Sequence, residues 1–89
     1  MSTEGLEIEE TITEDITNNQ IVLFNDEVNS FDHVISCLIQ IAQHGSHQAE
    51  QCATIVHNNG KCGIKSGSYE ELEPIYFALS ENNLTVEIQ

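Results

Sequence analysis

Apolar and polar positions divide the chain into segments with different periods. Ile21-Val22-Leu23-Phe24 is an unbroken apolar run of strand formers stopped by Asn25-Asp26-Glu27, which reads as a buried strand running into a turn. From Phe31 to Ala42 the apolar side chains fall at Phe31, Val34, Ile35, Leu38, Ile41 and Ala42. That is helical spacing, with Asn29 or Ser30 as N-cap and Gly45 as the stop. A second helix is predicted from about Ser46 to His57, with Ala49, Cys52, Ala53 and Val56 on one face. Asn58-Asn59-Gly60 ends it, because asparagine and glycine tolerate the left-handed backbone of a helix C-terminus. The break at Gly45 is short, so the two helices form an αα-hairpin. Cys62-Gly63-Ile64 alternates as a second strand, and Ser68 followed by Glu71 is the capping box of a third helix reaching about Ser80. Leu72, Ile75, Tyr76 and Leu79 make its apolar face. Pro74 removes a donor and crowds the preceding turn, so either the first turn is a separate piece or the helix starts near Pro74. Leu84-Thr85-Val86-Glu87-Ile88 closes the chain with the period of two of a strand.

The order β-α-α-β-α-β is an α+β pattern, a three-stranded antiparallel sheet with three helices packed on one face. Residues 1–19 stand apart from it. They are acidic and rich in threonine, and after the initiator Met they hold only Leu6, Ile8, Ile12 and Ile16 as aliphatics, at no sustained period. Such a stretch buries too little to offset the entropy of ordering, so a flexible acidic tail over 1–19 and a core domain over 20–89 are expected. About 70 residues is near the lower limit for a core that folds without staples.

Charge narrows the function classes. Fifteen acidic residues face two lysines and no arginine, for a net charge of −13, and nine of the acids fall after residue 20. Phosphate recognition needs lysine and arginine in number, so nucleic acid and anionic membrane surfaces are disfavoured as partners. No apolar run reaches the roughly 18–20 residues of a membrane span. The first 20 residues carry six acids and no base, unlike a secretory or organellar presequence, so a cytoplasmic protein is expected. Cys37, Cys52 and Cys62 are odd in number and widely spaced, which fits buried free thiols better than a disulfide framework.

Candidate chemistry is sparse. Asn25-Asp26-Glu27 offers acceptors at a strand exit, and is otherwise an ordinary turn. His57 borders the apolar face of the second helix in its last turn, where it serves as a ligand or as a half-buried capping residue. His44 and His47 sit around a Gly-Ser break, and without a CxxC the ligand spacing of structural zinc is missing, so no metal or cofactor is expected. His33, beside Asp32 and off the apolar stripe, reads as a surface residue. No nucleophile motif or phosphate-cradling glycine loop is present, which speaks against an enzyme.

The run Leu23-Phe24-Asn25-Asp26-Glu27-Val28-Asn29-Ser30-Phe31, followed by Val34-Ile35, Leu38, Gln48 to Ala53 and Val56-His57-Asn58-Asn59-Gly60-Lys61, resembles the ClpS adaptor family. Asn25 to Lys61 lies on the family pattern of strand, NDD-type turn, helix and helix ending in VHxxGK without a gap, and with the closing strand the resemblance spans the whole predicted domain. The resemblance implies an adaptor that binds the N-terminal residue of N-degron proteins and hands them to a Clp AAA+ unfoldase (ClpA- or ClpC-type) and its ClpP protease. It implies α-amino recognition by Asn25, Asp26, Glu27 and His57. It also implies a hydrophobic pocket of Asn29, Phe31, Val34, Cys37, Ala53, Val56 and Leu84 for a Leu, Phe, Tyr or Trp side chain. Five residues at three places depart from the pattern. Glu27 stands where a second aspartate is usual, Asn29-Ser30-Phe31 where many relatives have Thr-Pro-Met, and Ala53 where many have methionine, so a pocket that excludes Ile or Val less strictly is expected. The tail would serve delivery to the unfoldase. The alternative is an interaction domain of the same fold with another partner, like the acidic C-terminal domain of the ribosomal stalk protein, which lacks the combined NDx and VHxxGK elements.

Overall fold

The computed structural model, which describes residues 18–89, runs β1 (Asn19–Phe24), α1 (Phe31–Gln40), α2 (Ser46–Asn59), β2 (Lys61–Gly67), α3 (Tyr69–Glu81) and β3 (Thr85–Ile88). β1 is central in an antiparallel sheet of order β2-β1-β3. The acidic tail expected over 1–19 lies outside the described residues except for Asn18 and Asn19, and Asn19 already opens β1 opposite Gly67. The apolar run of β1 becomes the centre of the core: Ile21 and Leu23 join Leu38, Leu72 and Leu79 as its largest fully buried side chains. Cys37, Ala42, Ala49, Cys52, Val56, Ile64, Leu84 and Val86 complete the cluster, so each helix contributes to the one core. Burial of each large aliphatic here contributes about 1.5–3 kcal/mol, which a domain of this size needs from nearly every core position.

Helix boundaries follow local chemistry. Ser30, not Asn29, caps α1 and accepts from the backbone N–H of His33 at 3.1 Å. Ser68 and Glu71 form the reciprocal capping box expected of them at the start of α3. Pro74 neither splits nor delays α3, which runs continuously through it. It stands in the second turn, where its missing N–H removes the bond to the carbonyl of Glu70, a solvent-exposed position.

The αα-hairpin turns differently from expectation. Gly45 does not stop α1; it occupies the N-cap of α2 in an extended conformation, and Gln43 takes the left-handed backbone, with φ +62°. A buried histidine anchors this strained connection. The Nε2–H of His44 donates to the carbonyl of Ile64 at 2.7 Å, while its Nδ1 is buried without a partner. Ile64 is the residue skipped where the β1–β2 register shifts between Ile21 and Val22, so its carbonyl is available outside the ladder.

Candidate functional site

The exit of β1 and the end of α2 meet because the β1–β2 ladder continues past the strand. Phe24 pairs with Lys61, and the backbone N–H of Asn25 then donates to the carbonyl of Gly60 at 2.9 Å. Gly60 in turn caps α2 with φ +95° and donates to Val56 at 2.8 Å, a left-handed closure that a side chain would strain. His57, in that last turn of α2, and Asn25, in the first residue after β1, are thereby fixed around the same opening.

Between them lies a cavity of about 420 Å3 lined by Leu23, Phe24, Asn25, Asp26, Glu27, Asn29, Phe31, Val34, Ala53, Val56, His57 and Leu84. Ten of the eleven residues singled out in the sequence line it. Cys37 does not: it is buried in the core and approaches His33 Nε2 with its sulfur at 3.6 Å. Leu23 and Phe24 were not singled out; their position immediately before Asn25 was the available signal. The cavity has two chemically different ends. Asn25, Glu27 and His57 are exposed, whereas Ala53, Val56 and Leu84 are buried, with Val34 half-buried between. Such a cavity takes a ligand that is polar at one end and bulky and apolar at the other.

Asp26 and Glu27 are neighbours with different surroundings. Oδ1 of Asp26 accepts from the backbone N–H groups of Val28 and Asn29, both at 3.0 Å, and from Asn29 Nδ2 at 3.1 Å. Its Oδ2 accepts from Asn29 Nδ2 at 2.9 Å and from Thr85 Oγ1 at 3.2 Å. Partial burial pushes the carboxyl up, but the combined hydrogen bonds from Asn29, Val28 and Thr85 outweigh it and hold Asp26 below the ordinary aspartate value of 3.8. Asp26 therefore shapes the loop and contributes a fixed negative charge at the cavity. Glu27 leaves its carboxylate in solvent at the cavity's edge.

His33 is not a simple surface residue. It is half-buried, and its Nε2–H donates to the carbonyl of Asn82 at 2.9 Å, across the start of the turn into β3. Among the described residues no three His, Cys, Asp or Glu side chains are grouped to hold a metal ion, and none of the helices is long and apolar enough to cross a membrane.

The family described as "ATP-dependent Clp protease adaptor protein ClpS" matches residues 15–85. Among solved structures, that of Agrobacterium tumefaciens ClpS2 bound to L-phenylalaninamide is similar, with a TM-score of 0.66 at 12% identity, over 83% of this chain and 99% of that one. No curated protein matches. At that identity the structural likeness bears on the fold alone, while the family match spans the cavity residues from Asn25 to Leu84.

Proposed function

The chain belongs to the ClpS family of ATP-dependent Clp protease adaptors, and we propose that its cavity receives the first residue of a protein substrate. In this reading the free α-amino group sits at the exposed end and a bulky apolar side chain fills the buried end. The cargo then passes to a ClpA- or ClpC-type AAA+ unfoldase in the cytoplasm. The observation that carries it is the cavity itself, with acceptors at its exposed end and apolar walls at its buried end.

The chemistry of the ligand fits each end. An α-amino group has a pKa of about 7.7–8.0, so near pH 7 it is mostly an ammonium with three donors and needs acceptors. Asn25 offers an amide oxygen, Glu27 a solvent-facing carboxylate, and His57 a lone pair as long as its imidazole is neutral. Asp26 adds charge at close range without needing to give up its loop contacts. Charge-assisted hydrogen bonds contribute about 1.5–3 kcal/mol each, and burying a Leu or Phe side chain a similar amount. After association costs, that sum supports micromolar binding. The ClpS2 structure supports the reading by its ligand, since L-phenylalaninamide presents a free α-amino group beside an aromatic side chain. Ala53, small and buried at the cavity wall, supports admission of Trp and a weaker exclusion of Ile and Val. The role is binding and transfer, not catalysis.

Fluorescence anisotropy with short peptides differing only at residue one tests this directly. The set is Leu, Phe, Trp, Tyr, Ile, Gly and N-acetyl-Leu, repeated with His57→Ala. The expected result is binding that needs a free amine and a bulky first side chain and weakens about tenfold or more in the variant, the value of one charge-assisted bond. Binding indifferent to the first residue overturns the reading and favours a stalk-like interaction domain.

A further inference from the structure

The Leu84 wall of the cavity is held by hydrogen bonds that reach beyond the cavity. Leu84 follows Asn83, a non-glycine residue with φ +71°, and is itself 4% exposed. The backbone N–H groups of the turn point back to α3: Asn82 donates to Ala78 and Leu79, Asn83 to Ser80 at 3.0 Å, and Leu84 to Leu79 at 3.1 Å. The turn's carbonyls face the other way. Asn83's accepts from Asn29 Nδ2 at 2.8 Å, and Asn82's accepts from His33 Nε2–H at 2.9 Å. Beyond Leu84, Thr85 Oγ1 donates to Asp26 at 3.2 Å. Residues on both sides of Leu84 are thus tied to the segment from Asp26 to His33.

Two of these three tethers, Asp26 and Asn29, also line the cavity, but His33 does not. Its ring is half-buried beside Cys37, whose sulfur lies 3.6 Å from the same nitrogen. Donation to a carbonyl requires the proton on Nε2, which the neutral Nε2–H tautomer and the imidazolium both carry. The tether therefore holds in either protonation state.

We propose that His33 is a positioning residue for this pocket: its bond to the Asn82 carbonyl fixes Leu84 relative to α1 and so sets the fit of a bound first side chain. The inference rests on the N-terminal-residue reading above. Without the tether, the left-handed turn at Asn83 is held on its carbonyl side by Asn29 alone, and the wall yields instead of packing.

The test uses the full chain with His33→Phe, which keeps the ring and loses the donor, and His33→Gln, whose terminal amide N–H replaces Nε2–H. Anisotropy with Leu-first, Ala-first and N-acetyl-Leu peptides separates the side-chain contribution from the amine contribution, and thermal melting reports folding. The expected result for His33→Phe is a three- to tenfold loss of the Leu-over-Ala preference, the scale of one hydrogen bond. Its dependence on the free amine is unchanged, and His33→Gln restores the preference. If His33→Phe does not fold, His33→Asn, whose amide ends short of the carbonyl, must show the same loss. An unchanged preference in the donor-less variant, or equal weakening of Leu- and Ala-first peptides, overturns the proposal alone. A wild-type protein indifferent to the first residue overturns the N-terminal-residue reading and this proposal with it.

Discussion

Replacing Asp26 by asparagine separates two roles that adjacent carboxylates share in the sequence. The Asp26 carboxylate accepts from two backbone N–H groups, from Asn29 Nδ2 and from Thr85 Oγ1. An asparagine keeps one acceptor oxygen for the backbone donors of Val28 and Asn29. Its amide nitrogen then meets the Asn29 amide at the position where Oδ2 now accepts at 2.9 Å, a donor facing a donor. Hydrogen bonds to a charged group contribute about 1.5–3 kcal/mol, and the loop is half-exposed, so screening brings the expected loss to about 1–2 kcal/mol. For a domain of this length that is a fall in Tm of about 5–15 °C. The pH dependence follows from the lowered pKa. The folded carboxyl ionises below the ordinary aspartate value of 3.8, so its contribution is complete above that pH and is lost as pH falls below it. Urea unfolding should therefore show wild type more stable than Asp26→Asn at pH 7, with the gap closing toward pH 3. Glu27→Gln, at a solvent-facing side chain, should leave Tm unchanged while weakening peptides that carry a free amine. An Asp26→Asn protein with wild-type Tm and only weaker peptide binding would refute the reasoning and make Asp26 a direct ligand contact.

Two further outcomes follow from the cavity wall and the thiols. Ala53→Met adds three heavy atoms at a buried wall position, roughly 70 Å3 by close packing, against a cavity of about 420 Å3. Trp- and Phe-first peptides should lose about tenfold more affinity than Leu-first ones with Tm nearly unchanged, because the new atoms fill space rather than crowd the core; an equal loss for all three would mean the wall lies elsewhere. Burial, reinforced by the neighbouring Cys62, pushes the Cys52 thiol up to about 11, and burial raises Cys37 as well. At pH 8 only about one Cys52 in a thousand is thiolate, so iodoacetamide followed by peptide mass mapping should mark half-buried Cys62 first and Cys52 only on unfolding. Equal native labelling of Cys52 and Cys62 would show that the α2–β2 packing opens readily.

The element order was legible because each segment kept one period, and the misread boundaries have local causes. Gly45 carries two meanings, since glycine serves at helix ends and at N-caps; the choice was made by His44, whose bond to Ile64 pulls the reversal back to Gln43. Pro74 looked disruptive only when considered apart from the capping box, which secures the first turn of α3 before the proline is reached.

The residue types of the candidate site were legible for a similar reason. The NDE turn and His57 are distant in sequence, yet they flank two strands that pair, and pairing Phe24 with Lys61 leaves little choice of where they meet. The division of labour among those residues was not legible. Whether a carboxylate faces a ligand or a loop depends on which donors meet it, and those include both the Val28 and Asn29 groups of the same loop and partners from the far end of the chain. Thr85 reaches Asp26 across 59 residues, and the Asn82 and Asn83 carbonyls reach His33 and Asn29 across 49 and 54. No local pattern encodes those separations. Adjacent acids that look interchangeable as letters, Asp26 and Glu27, are separated chemically by the Val28 and Asn29 donors of their own loop, to which Thr85, just past a turn near the opposite end of the chain, adds one more. The same turn supplies Leu84, so the loop that presents the charge and the wall that limits the side chain are held by one set of bonds. A substitution anywhere in that set should be felt at both ends of the cavity, whereas His33, which lines neither end, should act through the wall alone.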